Sequence, residues 1–527
     1  MARYNVCELL ASAWRRAEAT RSGGRVLRLN ASQQKAVEIL VRVLKGSAKA
    51  PLGGVQGPPG TGKTSVVESF VHDHMADMLE DMVDELVIYV APTNHLVAQA
   101  FERVIAALLT RGYTIRDIVD HVRVYGSKMT VRDCEKIFRA RSVDEAPPNE
   151  ASVKRVIYGS VDPGVVRVVF ATEYQRVSGR FTSQPDRIHL VVDEASKSPY
   201  YRAFISIADA IMRYSDYPAS LVALGDPEQA ITVPEAFRAQ RVSLLMNKVM
   251  SLVRQHGLER DNFVMLDTTY RLPGPSEQPI SHGFYDDRLR AYEPARWRLR
   301  SLHELFEDAR AKVEQMLRSM VSWSTELDKL FNAVYEAVTS EKPMVIVETG
   351  RFTSSRMAST YDPRRTKLGL EVSLILQAYA RAARELGSYM EPSTMVIAPY
   401  SDIATNVAFN FRHSYGRYLE PPLSATVQAV IGGEADAVVA ILGKEYSGRS
   451  EHEPWVDDSF YQTMYYNEPQ VLNVQLSRHH KLMIVIGAVG QLAAARGGWA
   501  GRRLSRTAQK MQELAESGAA VHVKLAQ

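Results

Sequence analysis

Gly57-Pro-Pro-Gly-Thr-Gly-Lys-Thr64 has the spacing of a loop that holds a chain of phosphates. Gly57, Gly60 and Gly62, with Pro58, Pro59 and Thr61 between them, let the backbone wrap so that successive N–H groups point inward. Lys63 supplies a compact positive charge to the β- and γ-phosphates, and Thr64 offers a hydroxyl to Mg²⁺. A helical pattern through Val66, Val67, Phe70 and Val71 follows, so a helix N-terminus adds its dipole and N–H groups. Such a loop needs a metal carboxylate at the end of a neighbouring strand. The apolar run Ile188–Val192 leads directly into Asp193 and Glu194. Asp193 is expected to hold the ion, and Glu194 to orient and deprotonate the attacking water.

These groups must be positioned by strands. β-Branched, apolar runs recur at Leu86–Ala91, Arg167–Ala171, Ile188–Val192, Leu221–Leu224, Met344–Val347, Thr394–Ala398, Val438–Leu442 and Leu482–Gly487. Helical patterns fill many of the gaps, which predicts parallel sheets covered on both faces. Four runs precede residue 260 and four follow residue 340, so two tandem α/β domains are expected. Three segments break the rhythm and read as insertions: about 113–163, about 292–340 and about 444–470. In the second, Leu302, Leu305, Phe306, Ala309, Val313 and Leu317, then Leu327, Leu330, Phe331, Val334 and Val338, describe one long helix or a hairpin bent near Trp323.

Composition bounds the reading. The chain has 527 residues, with 46% hydrophobic and 24% charged, which is ordinary globular usage. Lys and Arg number 64 against 60 Asp and Glu, a net +4. Nucleic-acid binding would therefore come from a local groove and not from a polycationic surface. Two cysteines, Cys7 and Cys134, exclude a disulfide framework and a cysteine-based zinc module, and they fit a reducing, cytoplasmic setting. No apolar run is long enough to cross a membrane. The first 28 residues read as a short amphipathic helical extension and not as a secretory signal.

The order of further motifs carries a resemblance. Leu29-Asn30-Ala-Ser-Gln33 precedes the phosphate loop, and Ala91-Pro-Thr-Asn94 follows it. Then come Asp193-Glu-Ala-Ser196, Gly225-Asp226-Pro-Glu-Gln229, Thr269-Tyr270-Arg271, Ala398-Pro-Tyr400, Gly432-Gly-Glu434-Ala-Asp436 and Asn473-Val-Gln-Leu-Ser-Arg478. In this order the chain resembles superfamily 1B helicases, the branch typified by the nonsense-mediated-decay helicase. The resemblance implies two tandem RecA-like P-loop domains with parallel sheets and inserted accessory segments. The first would span 29–260 and the second 261–495, with a basic tail or helix at 496–527.

It also implies roles. Gln33 resembles the residue that reads the adenine edge, with a helix-cap role as the alternative. Tyr270 resembles the residue that stacks on adenine, and Glu434 the one that contacts ribose. Gln229 resembles the γ-phosphate sensor. Arg271 and Arg478 resemble arginine fingers, whose planar guanidinium groups suit the spreading charge of phosphoryl transfer. Thr93, Asn94, Thr172, Pro399 and Tyr400 resemble loops that hold a strand by its phosphates, each with an ordinary loop or cap role as the alternative. The activity implied is an Mg-ATP-driven helicase or translocase moving 5′ to 3′ on single-stranded RNA or DNA. The chain is expected to act as a monomer away from membranes, with protein partners reaching it through the insertions.

The chain departs from the family at Ile431 before Gly432, at Thr269, and at His479-His480 after Arg478. These departures touch coupling and nucleotide specificity. Only 28 residues precede the Gln33 motif, where relatives place a β-barrel, so a nucleotide-driven RNA or ribonucleoprotein clamp without unwinding is the alternative activity. Aromatic residues at Trp455, Phe460, Tyr461, Tyr465 and Tyr466 are read as packed loop residues, with base stacking as the alternative. His72 and His74 read as a solvated face.

Overall fold

The computed structural model describes residues 3–22, 28–70, 85–214, 218–229, 243–352, 360–387, 391–430, 433–444, 468–495 and 498–525. The aromatic positions from Trp455 to Tyr466, the Ile431-Gly432 departure, and His72 and His74 lie outside them. Contacts divide the chain into two units, residues 1–58 with 62–266 and residues 59–61 with 267–527.

The first unit is built on seven parallel strands: β1 (Leu52–Gln56), β2 (Glu85–Ala91), β3 (Val122–Tyr125), β4 (Val168–Thr172), β5 (Arg187–Val192), β6 (Ser220–Gly225) and β7 (Phe263–Met265). Their order across the sheet is β3-β4-β2-β5-β6-β1-β7. Alternate side chains of β2 fall into separate cores. Val87, Tyr89 and Ala91 join one, and Leu86, Ile88 and Val90 the other. This is why the strand reads as a continuous apolar run: both faces are covered. One core is closed by α1 (Val6–Arg21), α2 (Ala31–Leu44), α3 (Lys63–Phe70) and α4 (Asn94–Thr110). The other is closed in part by α6 (Leu245–Gln255), through Leu245, Met246, Val249 and Val253.

Four features of this unit differ from the sequence reading. The strand that feeds the phosphate loop, β1, carries no apolar run because Gly53 and Gly54 occupy it. Both glycines are demanded by packing: a Cβ on Gly54 would lie 2.9 Å from the Phe263 ring, and one on Gly53 3.1 Å from Val43. The segment about 113–163 is not wholly an insertion, because β3 joins the sheet beside β4. Arg123 interrupts the apolar pattern of β3 yet is buried. Its guanidinium donates to the carbonyls of Val119, Val122 and Ser160. The N-terminal helix is part of the unit: Ser12 Oγ donates to Glu102 of α4 at 2.8 Å. Cys7 of α1 is joined in a disulfide to Cys134, the first residue of α5 (Cys134–Ala140), in place of two free thiols.

The second unit has six parallel strands: β8 (Met344–Glu348), β9 (Thr394–Ala398), β10 (Leu423–Thr426), β11 (Ala435–Ile441), β12 (His479–Gly487) and β13 (Val521–Lys524), in the order β10-β9-β11-β12-β8-β13. The segment about 292–340 forms two helices, α7 (Ala295–Met320) and α8 (Thr325–Thr339). They separate where Val321 turns extended and the Ser324 side chain accepts from the Leu327 N–H to cap α8. The hairpin packs on its own unit: Phe306 of α7 stacks on Tyr379 of α9 (Pro363–Leu386), with ring centroids 3.6 Å apart. Other helices of this unit include α10 (Ser401–Tyr415), α11 (Gln470–Gln475) and α12 (Val489–Ala493). The C-terminal residues are not a tail. They form α13 (Gly498–Glu516) and then β13, which pairs with β8. His522 and Lys524 alternate with Val521 and Val523, which hides this edge strand from a search for apolar runs.

Among the described residues no helix is long and apolar enough to cross a membrane.

Candidate active site

The carboxyl ends of β1, β5 and β6 carry the chemistry of the first unit. Gly57 donates its N–H to Gly225 O at 2.9 Å, tying the start of the phosphate loop to the end of β6. Gly60 and Gly62 have φ of +68° and +78°, a backbone that disfavours side chains. Lys63 Nζ donates to Gly57 O at 3.0 Å, spanning the base of the loop. The same ammonium lies 3.7 Å from Glu194 Oε1. Thr64 follows in the first turn of α3.

β5 ends at Val192, so Asp193 and Glu194 emerge beside that loop. Asp193 Oδ1 accepts from the Glu194 N–H at 2.8 Å, and its Oδ2 accepts from the Tyr89 hydroxyl at 2.7 Å. Glu194 takes φ +51°, rare for a side-chain-bearing residue and a mark of a constrained turn. Its Oε2 pairs with Lys197 Nζ at 2.7 Å. Desolvation pushes the Asp193 carboxyl above the usual aspartate range, and the neighbouring Glu194 charge adds to this. Desolvation, with Asp193 beside it, also drives the Tyr89 hydroxyl well up.

A cation would relieve both costs at Asp193. The available donors, the Thr64 hydroxyl and the Asp193 carboxylate, are hard oxygens, which suits Mg²⁺ held jointly with substrate phosphates. Among the described residues no group of three or more His, Cys, Asp or Glu could hold a metal by itself.

Gln33 takes the helix-cap role that its sequence position offered as the alternative. It completes a capping box with Asn30, its Oε1 accepting from the Asn30 N–H at 3.0 Å. Its Nε2 also reaches the phosphate loop: a Cβ on Gly62 would lie 2.6 Å from it. Gln229 is held by Asp226, whose Oδ2 accepts from Gln229 Nε2 at 2.7 Å. Asp226 is itself buried and accepts from Gln56 Nε2 at 3.2 Å. Sequence reading missed Tyr89, Lys197 and Gln56. A lone tyrosine in an apolar strand and a lysine four positions after Asp193 were their only signals.

The second unit gathers the arginines. Thr269, a departure from the family pattern, is buried and accepts from the N–H groups of Arg271 and Leu272, shaping the turn that presents Arg271. Arg271 donates to Ser477 O at 3.0 Å and pairs with Glu434. Glu434 also faces His480, 2.8 Å away. Burial raises the Glu434 carboxyl, but His480, Arg271 and Arg478 outweigh it and hold the group below the usual glutamate range. Arg478 is buried at the entry to β12. His479 is buried too, with Nε2 at 2.7 Å from Ser276 Oγ, and burial lowers it to about 3. His480, which the sequence singles out only as a departure after Arg478, is Glu434's neighbour across β11 and β12. Tyr270 packs against Tyr292, centroids 4.9 Å apart, and Tyr292 is largely exposed.

Of the expected strand-contact residues, Thr93 is exposed and Asn94 half-buried, while Thr172, Pro399 and Tyr400 are buried. The Thr93 hydroxyl caps α4 by accepting from Leu96 N–H at 3.3 Å. Asn94 bridges to Ser127 and Lys128, and Thr172 is buried at the end of β4. Pro399 and Tyr400 are buried at the end of β9. The Tyr400 ring supports Phe352 edge-on at 5.9 Å.

Residues 28–157 match the family model of an AAA domain. That stretch holds Gln33, the whole phosphate loop, Thr93 and Asn94. Solved structures align at low identity. The PRRSV helicase is 13% identical over 87% of this chain and 56% of its own, with a TM-score of 0.31. S. cerevisiae Dbp5 bound to RNA and ADP BeF3 is 10% identical over 97% of this chain and 93% of its own, at 0.35. The helicase MrfA bound to DNA is 11% identical over 95% of this chain and 57% of its own, at 0.36. The chain thus spans little more than half the length of the viral helicase and of MrfA. A search of curated proteins finds no match.

Proposed function

We propose that this chain is an ATP-driven motor of the superfamily 1B type that moves 5′ to 3′ along single-stranded RNA or DNA. The observation that carries the reading is the convergence of Lys63 and Glu194, 3.7 Å apart, at a phosphate loop flanked by Asp193. Gly57–Thr64 would cradle the phosphates, with Lys63 on the β- and γ-groups. Mg²⁺, held by Thr64 and Asp193, would neutralise phosphate oxygens. Glu194 would take the proton of the attacking water, held in place by Lys63 and Lys197. Gln229 would sense the γ-phosphate from its Asp226 anchor. Gln33 and Tyr270 would hold the adenine, and Glu434 the ribose. Arg271 and Arg478 take the arginine-finger role that the motif order implies. The loops of Thr93, Asn94, Thr172, Pro399 and Tyr400 would grip the strand by its backbone.

Steady-state ATPase assays without nucleic acid, with single-stranded RNA and with single-stranded DNA, at matched salt, test the coupling. Stimulation by one polymer names the track, and equal stimulation means a backbone grip that serves both. Turnover indifferent to both polymers breaks the motor reading. Lys63→Ala abolishes turnover if the site is correct.

A further inference from the structure

β8 and β12 are neighbours in the second sheet, but the chain leaves them in opposite directions. From β8 it runs through α9 to β9, on one side; from β12 it runs through α12 and α13 to β13, on the other. In open parallel sheets a ligand crevice opens at the carboxyl ends of such a diverging pair. A cavity of about 570 Å³ lies there, and Arg351, Phe352, Arg364, Arg365 and Gln491 line it.

Its acids are turned to structural work. Asp362 accepts from the Arg365 N–H to cap α9, and Glu348 accepts from the Gly490 N–H at 3.1 Å. The buried Arg365 guanidinium donates to Leu442 O, Gly443 O and Gly350 O, so it pins the ends of β8 and β11 as a rigid floor. Arg351 is exposed, and its guanidinium is steered by the neutral amide of Gln491 at 3.1–3.2 Å. Phe352 sits among cations, with Arg365 at 5.2 Å and Lys444 at 5.7 Å from its ring, and is braced by Tyr400.

We infer that this cavity is a one-nucleotide subsite for a single strand, in which Arg351 takes a backbone phosphate and Phe352 stacks the base. The inference rests on the motor reading for the identity of its strand. A cation for the phosphate beside an aromatic face for any base is how sequence-tolerant single-strand sites are built. The guanidinium fork suits phosphate oxygens better than a point charge does.

Fluorescence anisotropy with a labelled 15-residue oligouridylate and its oligothymidylate counterpart, titrated with salt, tests it. Arg351→Ala weakens binding about fivefold and lowers the log–log salt slope by about 0.7, the loss of one phosphate contact. Phe352→Leu, which keeps the bulk, weakens binding about tenfold and leaves the slope unchanged. Thermal unfolding that matches the parent chain shows both variants folded. Parental affinity and slope in both variants overturn the inference while the motor reading stands. A parent chain that binds neither oligonucleotide overturns both. If inorganic phosphate shields Arg351 from phenylglyoxal and the oligonucleotides do not, the cavity holds a free anion and the strand assignment fails.

Discussion

The carboxyl end of β5 in the first unit and the amino ends of β11 and β12 in the second carry opposite electrostatic states on similar parallel sheets. In the first unit, Asp193 sits beside Glu194 at the end of β5 and is pushed up by desolvation and by that neighbour. In the second, Glu434 is surrounded by Arg271, Arg478 and His480 and is held down. In the first region Glu194 is paired with Lys63 and Lys197, whereas the desolvated Asp193 carboxylate lacks a close cation among the described residues. The other is already neutralised by its own residues. The lesson is that a binding end shows as uncompensated charge, whereas a compensated cluster must give up a partner before it can bind anything else.

The strongest way to break this contrast is Glu194→Gln. Turnover is expected to fall about 10²–10⁴-fold with nucleotide binding retained, as read by ATPase rate and nucleotide titration. Retained turnover would remove Glu194 from the chemistry.

Tyr89→Phe sharpens it, because the Tyr89 hydroxyl donates to the charged form of Asp193. Losing a hydrogen bond to a charged group costs about 1.5–3 kcal/mol. The Mg²⁺ needed for half-maximal nucleotide binding is therefore expected to rise about tenfold or more. The pH dependence has a definite sign. The Asp193 proton must leave before a cation binds, so Mg-dependent binding weakens as pH falls, with a midpoint above the usual aspartate range. Tyr89→Phe moves that midpoint higher still; an unchanged midpoint would separate Asp193 from the metal.

On the compensated side, Glu434→Gln leaves Arg271 and His480 without their carboxylate. Since Glu434 is about one-third exposed, the expected loss is about 1–2 kcal/mol by denaturant unfolding. The Glu434 contribution is present above the unfolded glutamate pKa and is lost as pH falls through the lower folded value.

The smallest effect at neutral pH belongs to His479. Its folded pKa of about 3 lies below the unfolded value near 6.5, so the unfolded chain binds the proton first. Stability is full above about pH 6.5 and declines below it, by about 2 kcal/mol at pH 5. His479→Asn should flatten that slope in pH-dependent unfolding.

The eight apolar runs read from the sequence all appear as strands, because a strand covered on both faces must be apolar throughout. The strands that escaped notice, β1, β3, β7, β10 and β13, are short, glycine-bearing, charged or at an edge, and each has a local reason. Close packing excludes side chains from Gly53 and Gly54 in β1, and Arg123 is tolerated in β3 because nearby carbonyls satisfy it. Pattern reports what a residue is; it does not report which neighbours will satisfy or crowd it.

The same division holds for the candidate site. The phosphate loop and the acids after β5 were legible because their chemistry depends on residues adjacent in the chain, and local spacing fixes local geometry. Tyr89 against Asp193, Gln56 against Asp226, His480 against Glu434 and Arg365 across the ends of β8 and β11 were decided by the tertiary structure alone. Those pairs bridge 46 positions in sequence for His480 and Glu434, 77 for Arg365 and Leu442, 104 for Tyr89 and Asp193, and 170 for Gln56 and Asp226. A parallel sheet brings distant strand ends side by side, so the partner of each charge is set by strand order, which no local pattern contains.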